Sequence, residues 1–465
     1  MRQLASQPVE RSVELANCPP GPVGLEPGAS QAQATTAWPA PLDVHPNPWN
    51  EQDLARRLCH VLDIAQQAVK RLAPNGYTDS VEPGNNVRPE KVISETALLL
   101  VAASGAAEHD DVRAHVEKVA QLLIFHARSE RMLLGACLEP ALALDFAQAH
   151  VCLHRLGYHD PAFDKLLRKS LHSQARFGHE RVPHRMLEQE WLMNGCKRPR
   201  PSSLKRTPRA ALNSVLNHPM DLLNGSRDDI YAFTHALIYA TDFNLYPHRL
   251  PREKAVILAE AEVALARCLD EQDYDLAAEV LLAWPLTGKS WSAAAAFGFQ
   301  VLARVEDEAG FLPAPSTRLE RLNSLQGSER RAYLLATAYH TVYVMGLLCA
   351  AALQPGRTPP LEISTRGVRN GSASAILQFL ELDDRKAHWR VDFDRLKDRE
   401  RDAIAGLLLN IALRRKAVQR DFGALHKLLE IAYVLGLAGT PAASQAAELL
   451  ERVASVSRWS APRSV

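Results

Sequence analysis

The sequence predicts an all-α fold, and three observations support this. From Trp49 onward the apolar residues recur at helical spacing. No stretch of useful length alternates apolar and polar residues as a strand would. The 465 residues are 47% hydrophobic and 23% charged, which is ordinary for a globular chain that buries a sizeable core. We therefore expect a large, multi-helix structure.

Residues 1–48 are predicted to be a flexible or extended tail. They include CPPGPVGLEPG and WPAPLDVHPNPW, whose proline and glycine content cannot form a packed helix. The first fifteen residues have no apolar h-region, so a secretory signal is not expected. The seven cysteines are spread widely without a CxxC pair, which is typical of reduced thiols. The expected location is the cytoplasm.

The predicted helices are of two kinds, which roughly alternate along the first half of the chain. One kind has a charged face suited to the outside, and the other is nearly charge-free and must be buried. The charged helices are 51–73, 109–129, 161–177 and 251–272, and the charge-free ones are 92–104, 133–154, 227–244 and 333–353. This alternation predicts an inner ring of helices wrapped by an outer ring, an α/α toroid. A large helical bundle is the alternative.

A basic loop, NGCKRPRPSSLKRTPR, interrupts the helices at residues 194–209. Its three prolines block a helix, and it holds six basic residues. The sequence therefore predicts a helical half at 49–194, a linker at 195–209, a second half at 210–457 and a short tail at 458–465. The linker is interpreted either as a solvated connection or as a lid over a site.

Charge and hydropathy argue against two classes of partner. Lys plus Arg number 54 against 53 for Asp plus Glu, so the chain lacks the basic excess of a protein that holds nucleic acid. Residues 333–353 are long enough to span a bilayer, but they carry His340, three tyrosines and two threonines. We expect neither a nucleic acid nor a membrane partner.

Several familiar catalytic motifs fail on inspection. His179 and His184 lie five residues apart with Pro183 between them, whereas the zinc motif HExxH needs four on a helix. DDIYA at 228–232 lacks the last carboxylate of the DDxxD that binds magnesium in class I terpene cyclases. ELDD at 381–384 has Glu in place of the first Asp of the class II motif DxDD. None of these motifs predicts a function.

A pair of histidines has the spacing of zinc ligands. His150 and His154 are four residues apart, which places both imidazoles on one helix face. No third ligand lies at a diagnostic distance, so ordinary core or surface histidines are the competing interpretation.

The segment RDDIYAFTHALIYATDFN, residues 227–244, carries the strongest functional signal. Between Ile230 and Thr241 it contains no Lys, Arg, Glu, Asn or Gln. At 100° per residue, its polar side chains share an arc of about 80°. They are Asp228, Tyr231, His235, Tyr239 and Asp242. Because buried polar groups need partners, this stripe must either pair internally or face a wet cavity.

Two further segments supply similar groups. In DYDLAAEVLLAWP, residues 273–285, Asp275 and Glu279 are one turn apart and Trp284 follows. Two such carboxylates repel when both are ionised, unless a cation intervenes. The charge-free helix 333–353 supplies Tyr339, His340 and Tyr343. Convergence of these helices on one cavity would assemble a site.

Two chemistries fit such a cavity. In the first, Zn, Mn or Fe accepts mixed imidazole and carboxylate ligands. The metal-ligand candidates are His235, Asp242, His340, Asp275 and Glu279. In the second, a histidine oriented by a carboxylate acts as general base and a tyrosine as acid. The catalytic candidates are His235, Asp242, Tyr231 and Tyr239, and the substrate-binding candidates are Asp228, Tyr339, Tyr343 and Trp284.

The alternation of helices resembles the α/α-toroid architecture of terpenoid cyclases, lanthionine cyclases and several glycosidases, over residues 51–457. The resemblance implies a fold and no activity, because none of their catalytic motifs matches. Only 6% of the residues are aromatic, which argues against a polysaccharide cleft and favours a small, mainly apolar organic substrate. The alternatives are a non-catalytic helical module that binds a protein or peptide and, more weakly, a ligand-sensing regulator.

Overall fold

The computed structural model of the chain describes residues 38–39, 42, 48–73, 76–77, 88–196, 207–246, 248–380 and 387–460. Most of these residues are α-helical, which confirms the all-α class. The strand pairing in this part of the chain is a two-residue hairpin, Leu72–Ala73 (β1) with Gly76–Tyr77 (β2). The predicted tail lies mostly outside the described residues, as do the ELDD segment and most of the basic linker.

The first half of the chain forms seven α-helices. They are α1 (Glu51–Lys70), α2 (Pro89–Ser104), α3 (Asp110–Ala127), α4 (Glu130–Leu138), α5 (Ala143–Arg155), α6 (Pro161–Leu171) and α7 (Pro183–Gly195). The single helix predicted at 133–154 is wrong, because the chain bends by 115° between α4 and the segment that begins at Pro140. Proline cannot donate to the preceding turn and so ends the helix before it.

The next seven helices include the segment with the polar stripe. They are α8 (Arg227–Thr241), α9 (Lys254–Asp270), α10 (Tyr274–Leu281), α11 (Ala283–Thr287), α12 (Ala293–Ala309), α13 (Leu319–Ser324) and α14 (Gly327–Ala352). Ser226 caps α8 through a capping box with Asp229. Helix α8 stops before Asp242, because this residue and the two after it have positive φ angles of 48–57°.

Most of the remaining helices pack around α18 (Ala405–Gln419). They are α15 (Ser372–Leu377), α16 (His388–Arg395), α17 (Asp398–Ala403), α18 (Ala405–Gln419), α19 (Phe422–Leu435) and α20 (Pro441–Ser460). Helix α18 lies against α9, and α15, α19 and α20 lie against α18, while α16 packs on α12. Residues 37–465 form one compact unit.

Six helices close a ring in the middle of this unit. In order around the ring, α2 packs on α5, α5 on α7, α7 on α8, α8 on α10, α10 on α14 and α14 on α2. Outside them, α1 and α3 cover α2 and α14, α4 and α6 cover α5, and α9 and α12 cover α10. Each half of the chain thus contributes three helices to one ring.

The charge pattern of the sequence separates the helices inside the ring from those outside it. The charge-free segments supply α2, α5, α8 and α14 of the ring, while the charged segments supply α1, α3, α6 and α9 around it. In the part of the chain that the structure describes, α14 is the one straight helix long and apolar enough to cross a membrane. In its most apolar window 89% of the residues are buried, so packing in the core accounts for its apolar character.

A buried ion network fastens the outer helices to each other. Arg57 of α1 is 1% exposed and contacts Asp53 of its own helix at 2.9 Å. Across the interface it reaches Glu306 at 2.6 Å and Asp307 at 2.8 Å, both on α12. Removing one member of such a network would leave a buried charge unpaired, so the network fixes how α1 and α12 meet.

Candidate metal centre

Polar side chains from several ring helices meet at the end of the ring where those helices begin. Asp275 and Glu279 belong to the first two turns of α10, Tyr231 to the second turn of α8, and Glu95 to the second turn of α2. His340 is the exception, since it lies halfway along α14. Contacts of α2 and α10 with α14, and of α8 with α10, bring these residues together although they are far apart in sequence.

The centre of this group is a cluster of two carboxylates and one histidine. Nε2 of His340 lies 3.7 Å from Oδ1 of Asp275 and 3.7 Å from Oε1 of Glu279. One ligand atom from each residue lies within 4.8 Å of the others. Two atoms that both bond an ion at about 2.1 Å are at most about 4.2 Å apart, and the two distances of 3.7 Å from Nε2 of His340 meet this condition. The sequence had named all three residues as metal-ligand candidates.

His340 is accessible even though the helix around it is buried. Its side chain is 27% exposed, while its chain neighbours Tyr339 and Thr341 are 5% and 1% exposed as residues. The other two members of the cluster are less exposed, at 12% for the Asp275 side chain and 2% for that of Glu279. Water can therefore reach the cluster through the His340 side chain.

Glu95 of α2 completes the surroundings of His340 from the other side. Its Oε2 lies 3.1 Å from Nδ1 of His340. A carboxylate on one imidazole nitrogen fixes the tautomer and leaves the other nitrogen to a metal, which is the usual outer-shell arrangement of a histidine ligand. Asp275 is held in turn by the Thr341 hydroxyl, which donates at 2.9 Å, and by Arg227 at 3.2 Å.

Burial and mutual charge shift the pKa values of this cluster. Burial disfavours the charged imidazole, but Glu95, Asp275 and Glu279 outweigh it and hold the pKa of His340 well above its usual value. Burial would raise the pKa of Glu279, yet His235 and His340 outweigh burial and lower it. Burial and the charge of Glu279 raise the pKa of Asp275, even though His340 opposes them. The positive charge of the protonated His340 imidazole is therefore shared by Glu95, Asp275 and Glu279.

His235 of α8 touches the same cluster through Glu279. Its Nδ1 lies 3.4 Å from Oε2 of Glu279 and 3.1 Å from the carbonyl oxygen of Tyr231. The Thr234 hydroxyl donates to that same carboxylate oxygen at 2.5 Å. Glu279 thus presents one oxygen to His340 and the other to α8, and it links the two histidines that the sequence had singled out.

The wall formed by α7 and α8 carries a second set of polar groups. The Tyr239 hydroxyl donates to Glu188 at 2.7 Å, and Arg185 reaches the other oxygen of Glu188 at 2.7 Å. Arg185 also lies 3.4 Å from the Tyr231 hydroxyl. Burial raises the pKa of Tyr239, and the charge of Glu188 adds to this. Both tyrosines of the predicted stripe therefore face α7.

His184 at the start of α7 adds a neutral imidazole to this wall. Its ring lies 5.7 Å from that of Tyr231 and 6.2 Å from that of His235, centre to centre. Burial, together with the charges of His235 and Arg185, lowers the pKa of His184 to about 4. At neutral pH this imidazole is therefore uncharged.

Asp242 is not brought together with His235. Because α8 ends at Thr241, its side chain leaves the face that the helical arc predicted. Its carboxylate instead accepts two hydrogen bonds from Arg155, at 2.8 and 3.0 Å, and one from Trp191 at 2.6 Å. This arrangement fixes the C-terminal end of α8 against α5 and α7.

The predicted substrate-binding residues are scattered. Asp228 is exposed in the first turn of α8. Trp284 is buried in α11, where it stacks on Trp291 at 6.2 Å. Tyr343 is buried and shares a 2.9 Å hydrogen bond with Thr96, while the Tyr339 ring packs edge-on against both His340 and Tyr343. Of these four residues, Tyr339 contacts a member of the cluster.

Sequence reasoning missed Glu95, His184 and Arg185. Glu95 carried a signal, since it is the one charged residue in VISETALLLVAAS, residues 92–104, a segment otherwise suited to complete burial. His184 was considered only for a zinc motif that it does not satisfy, and the structure places it after Pro183, which begins α7. Arg185 had no signal, because exposed arginines are common.

Comparison with known proteins adds a family without a function. Residues 59–350 match a family model described as a domain of unknown function (DUF6895). This segment is more than half of the chain and runs from within α1 almost to the end of α14, so it includes all six helices of the ring. No curated protein and no solved structure matches the chain.

Proposed function

The chain belongs to this family of unknown function, and from the geometry of the ring we propose that it is a metal-dependent enzyme acting on a small organic molecule. The observation that carries the proposal is the cluster of Asp275, Glu279 and His340. The His340 side chain is 27% exposed, and Glu95 lies on its far nitrogen.

The finer architecture that we propose is an α/α toroid. Six helices in contact around a centre, with charged helices packed outside them, support this description. Terpenoid and lanthionine cyclases have this architecture, but architecture alone does not transfer an activity. What the ring supplies is a central space whose walls come from six different helices.

The donor set suits a borderline or hard divalent cation. One imidazole with two or three carboxylates favours Mn, Fe or Zn over copper, since copper in proteins is usually held with more nitrogen or sulfur. When bound, such an ion would act as a Lewis acid and lower the pKa of a coordinated water. His235 would take up or return a proton next to Glu279, and Glu95 would keep the His340 imidazole oriented.

The wall formed by α7 and α8 indicates what the substrate would contact. The partly buried ring of Tyr231 lies there, near the buried rings of Tyr239 and Trp191, which are 5.4 Å apart. Such rings hold an apolar body, while Arg185, which is 45% exposed, offers a cation to an acidic group. We propose a small, mainly apolar substrate and a cytoplasmic location, without nucleic acid or membrane partners.

Metal content of the purified protein tests this function. We expect near-stoichiometric Mn, Fe or Zn in the wild type, measured by plasma mass spectrometry. His340→Ala and Asp275→Ala should remove it, because each deletes one of three ligands. His115→Ala is a matched control, since His115 is also 27% exposed beside a carboxylate, Asp63 at 3.5 Å.

Two results would count against the proposal. If the wild type contains no metal and takes up none of the three ions on dialysis, the cluster is a buried acid–base network. If His115→Ala loses as much metal as His340→Ala does, the ion is bound elsewhere. Circular dichroism would show that the variants remain folded.

A further inference from the structure

A second group of histidines lies outside the ring, at the corner between α5 and α6. His154 is in the last turn of α5, His159 is in the connection, and Asp164 is in the first turn of α6. His150, one turn before His154, completes the group. The central cluster uses none of these residues.

The corner is built so that His159 folds back on His154. Gly157 has a φ of +93°, which a residue with a side chain rarely adopts, and its amide hydrogen-bonds the carbonyl oxygen of His154 at 3.0 Å. Asp160 then caps α6 through the amides of Ala162 and Phe163. This short turn brings the two imidazole rings to 4.3 Å, centre to centre.

The other two donor atoms of this group both lie near metal-ligand spacing from Nδ1 of His154. Nδ1 of His154 lies 3.3 Å from Nδ1 of His159 and 3.8 Å from Oδ2 of Asp164. Two ligands of a tetrahedral zinc, each bonded at about 2.0–2.1 Å, are separated by about 3.3 Å. One of two neutral imidazoles at this distance donates a hydrogen bond from its Nδ1 to the other. When that hydrogen is carried on Nε2 of the same ring instead, the lone pairs of both Nδ1 atoms are free to bind a metal ion.

His150 positions the carboxylate. Its Nε2 lies 2.9 Å from Oδ1 of Asp164, while its ring stacks on Phe163 at 4.1 Å and is 1% exposed. Because this imidazole occupies one oxygen of Asp164, the other oxygen, Oδ2, is left to a ligand.

We propose that His154, His159 and Asp164 bind a zinc ion, with His150 as the positioning residue. Among the described residues, the central cluster is the one group with three ligand atoms all within 4.8 Å of one another. The corner site therefore closes on the ion by rotation of His159, whose side chain is exposed. The ion would connect α5 of the ring to α6 outside it.

Zinc binding to the full-length chain tests the proposal. Wild type, His154→Ala and His159→Ala are stripped with a chelator and dialysed against the same free Zn²⁺, and bound zinc is counted per chain. We expect each variant to bind one zinc fewer than the wild type, whether or not the central cluster binds one too. His172→Ala is the control, because His172 is an exposed histidine whose Nδ1 lies 2.6 Å from the carbonyl oxygen of Arg168 on its own helix.

Thermal unfolding gives a second measurement. Zn²⁺ should raise the melting temperature of the wild type and of His172→Ala, because a ligand that binds only the folded state stabilises it. Part of this rise should be missing in His159→Ala, whose own melting temperature without zinc should stay close to that of the wild type. The same zinc count in His159→Ala and the wild type would overturn the corner site. It would leave the central cluster untouched, because the His340→Ala variant tests that separately.

Discussion

His340 is the residue at which a proton would compete with the proposed metal ion. In the metal-free protein the three surrounding carboxylates favour its protonated form and raise its pKa. The pairing of protonated His340 with these carboxylates stabilises the folded state fully at pH values below the ordinary histidine pKa. This stabilisation is lost as the pH rises through the raised pKa of His340. At a pH where the imidazole has lost its proton, a divalent ion bound at Nε2 would replace that positive charge among the three carboxylates.

We therefore expect metal affinity to increase with pH. Binding at His340 requires the neutral imidazole. Below the raised pKa, each unit by which the pH falls should therefore weaken metal binding about tenfold. Titration of the chelator-treated protein with Mn²⁺ or Zn²⁺ across the neutral range measures the slope. Glu95→Gln removes one of the carboxylates that raise the pKa, so its profile should move to lower pH.

An affinity that does not change with pH in the wild type would contradict this picture. So would a Glu95→Gln profile displaced to higher pH. Lys91→Ala serves as the control, because Lys91 lies 3.6 Å from Glu95 without touching His340. Its profile should stay near that of the wild type.

At the scale of single residues, the sequence named His235, His340, Asp275 and Glu279 from their chemistry and context. It could not name Glu95, because the distance between two helices is absent from a linear pattern. It also placed Asp242 on the arc of α8, because a helical projection assumes that the helix continues. Three successive residues with positive φ end that helix first.

Gly346 determines how closely one ring helix meets its neighbours. A Cβ atom at this position of α14 would lie 2.6 Å from Cγ1 of Val61 in α1 and 2.9 Å from Cδ1 of Leu99 in α2. Both neighbours are fully buried, so they have little space into which to move. The absence of a side chain at 346 lets three helices approach at one point.

We expect Gly346→Ala and Gly406→Ala to change stability in opposite directions. Overpacking a filled core costs about 1–3 kcal/mol, which should exceed the gain of about 1 kcal/mol in helix propensity at 346. At Gly406 in α18 an added Cβ meets nothing within 4 Å, so that variant should be more stable by about 0.4–1 kcal/mol. Urea unfolding of both variants beside the wild type measures the two free energies.

If Gly346→Ala proved as stable as Gly406→Ala, the ring would be packed more loosely at this point than the structure indicates.

At the scale of elements, the sequence predicted which helices are buried, because a charge-free helix has to be buried wherever it lies. Its error at 133–154 arose where an apolar pattern continues past Pro140, although proline ends the helix.

At the scale of the whole molecule, the two predicted halves share one ring. Helices α2, α5 and α7 precede the basic linker and α8, α10 and α14 follow it. Each half alone would expose the apolar surfaces that the other covers. The linker that the sequence identified marks a change in composition along the chain. It does not divide the ring, because α7 contacts α8 and α14 contacts α2 across the two halves.

We expect the halves to remain together after the chain is cut between them. A specific protease site placed within residues 197–206 and then cleaved should yield two fragments that co-elute on size exclusion and retain the metal. Denaturant should separate them, and the uncut protein with the same insertion is the reference. Fragments that separate without denaturant would show that the ring contacts are too weak to define one unit.

The order of the helices along the chain also determines when each residue of the cluster is synthesised. Glu95 and His340 face each other across 3.1 Å, but 245 positions of the chain separate them. At about 5–20 residues per second, a ribosome needs roughly 12–50 s to pass from one to the other. During that interval Glu95, and later Asp275 and Glu279, exist without the imidazole that balances them. The proposed metal centre could thus be completed only after α14 has been made, which would place metal loading late in biosynthesis.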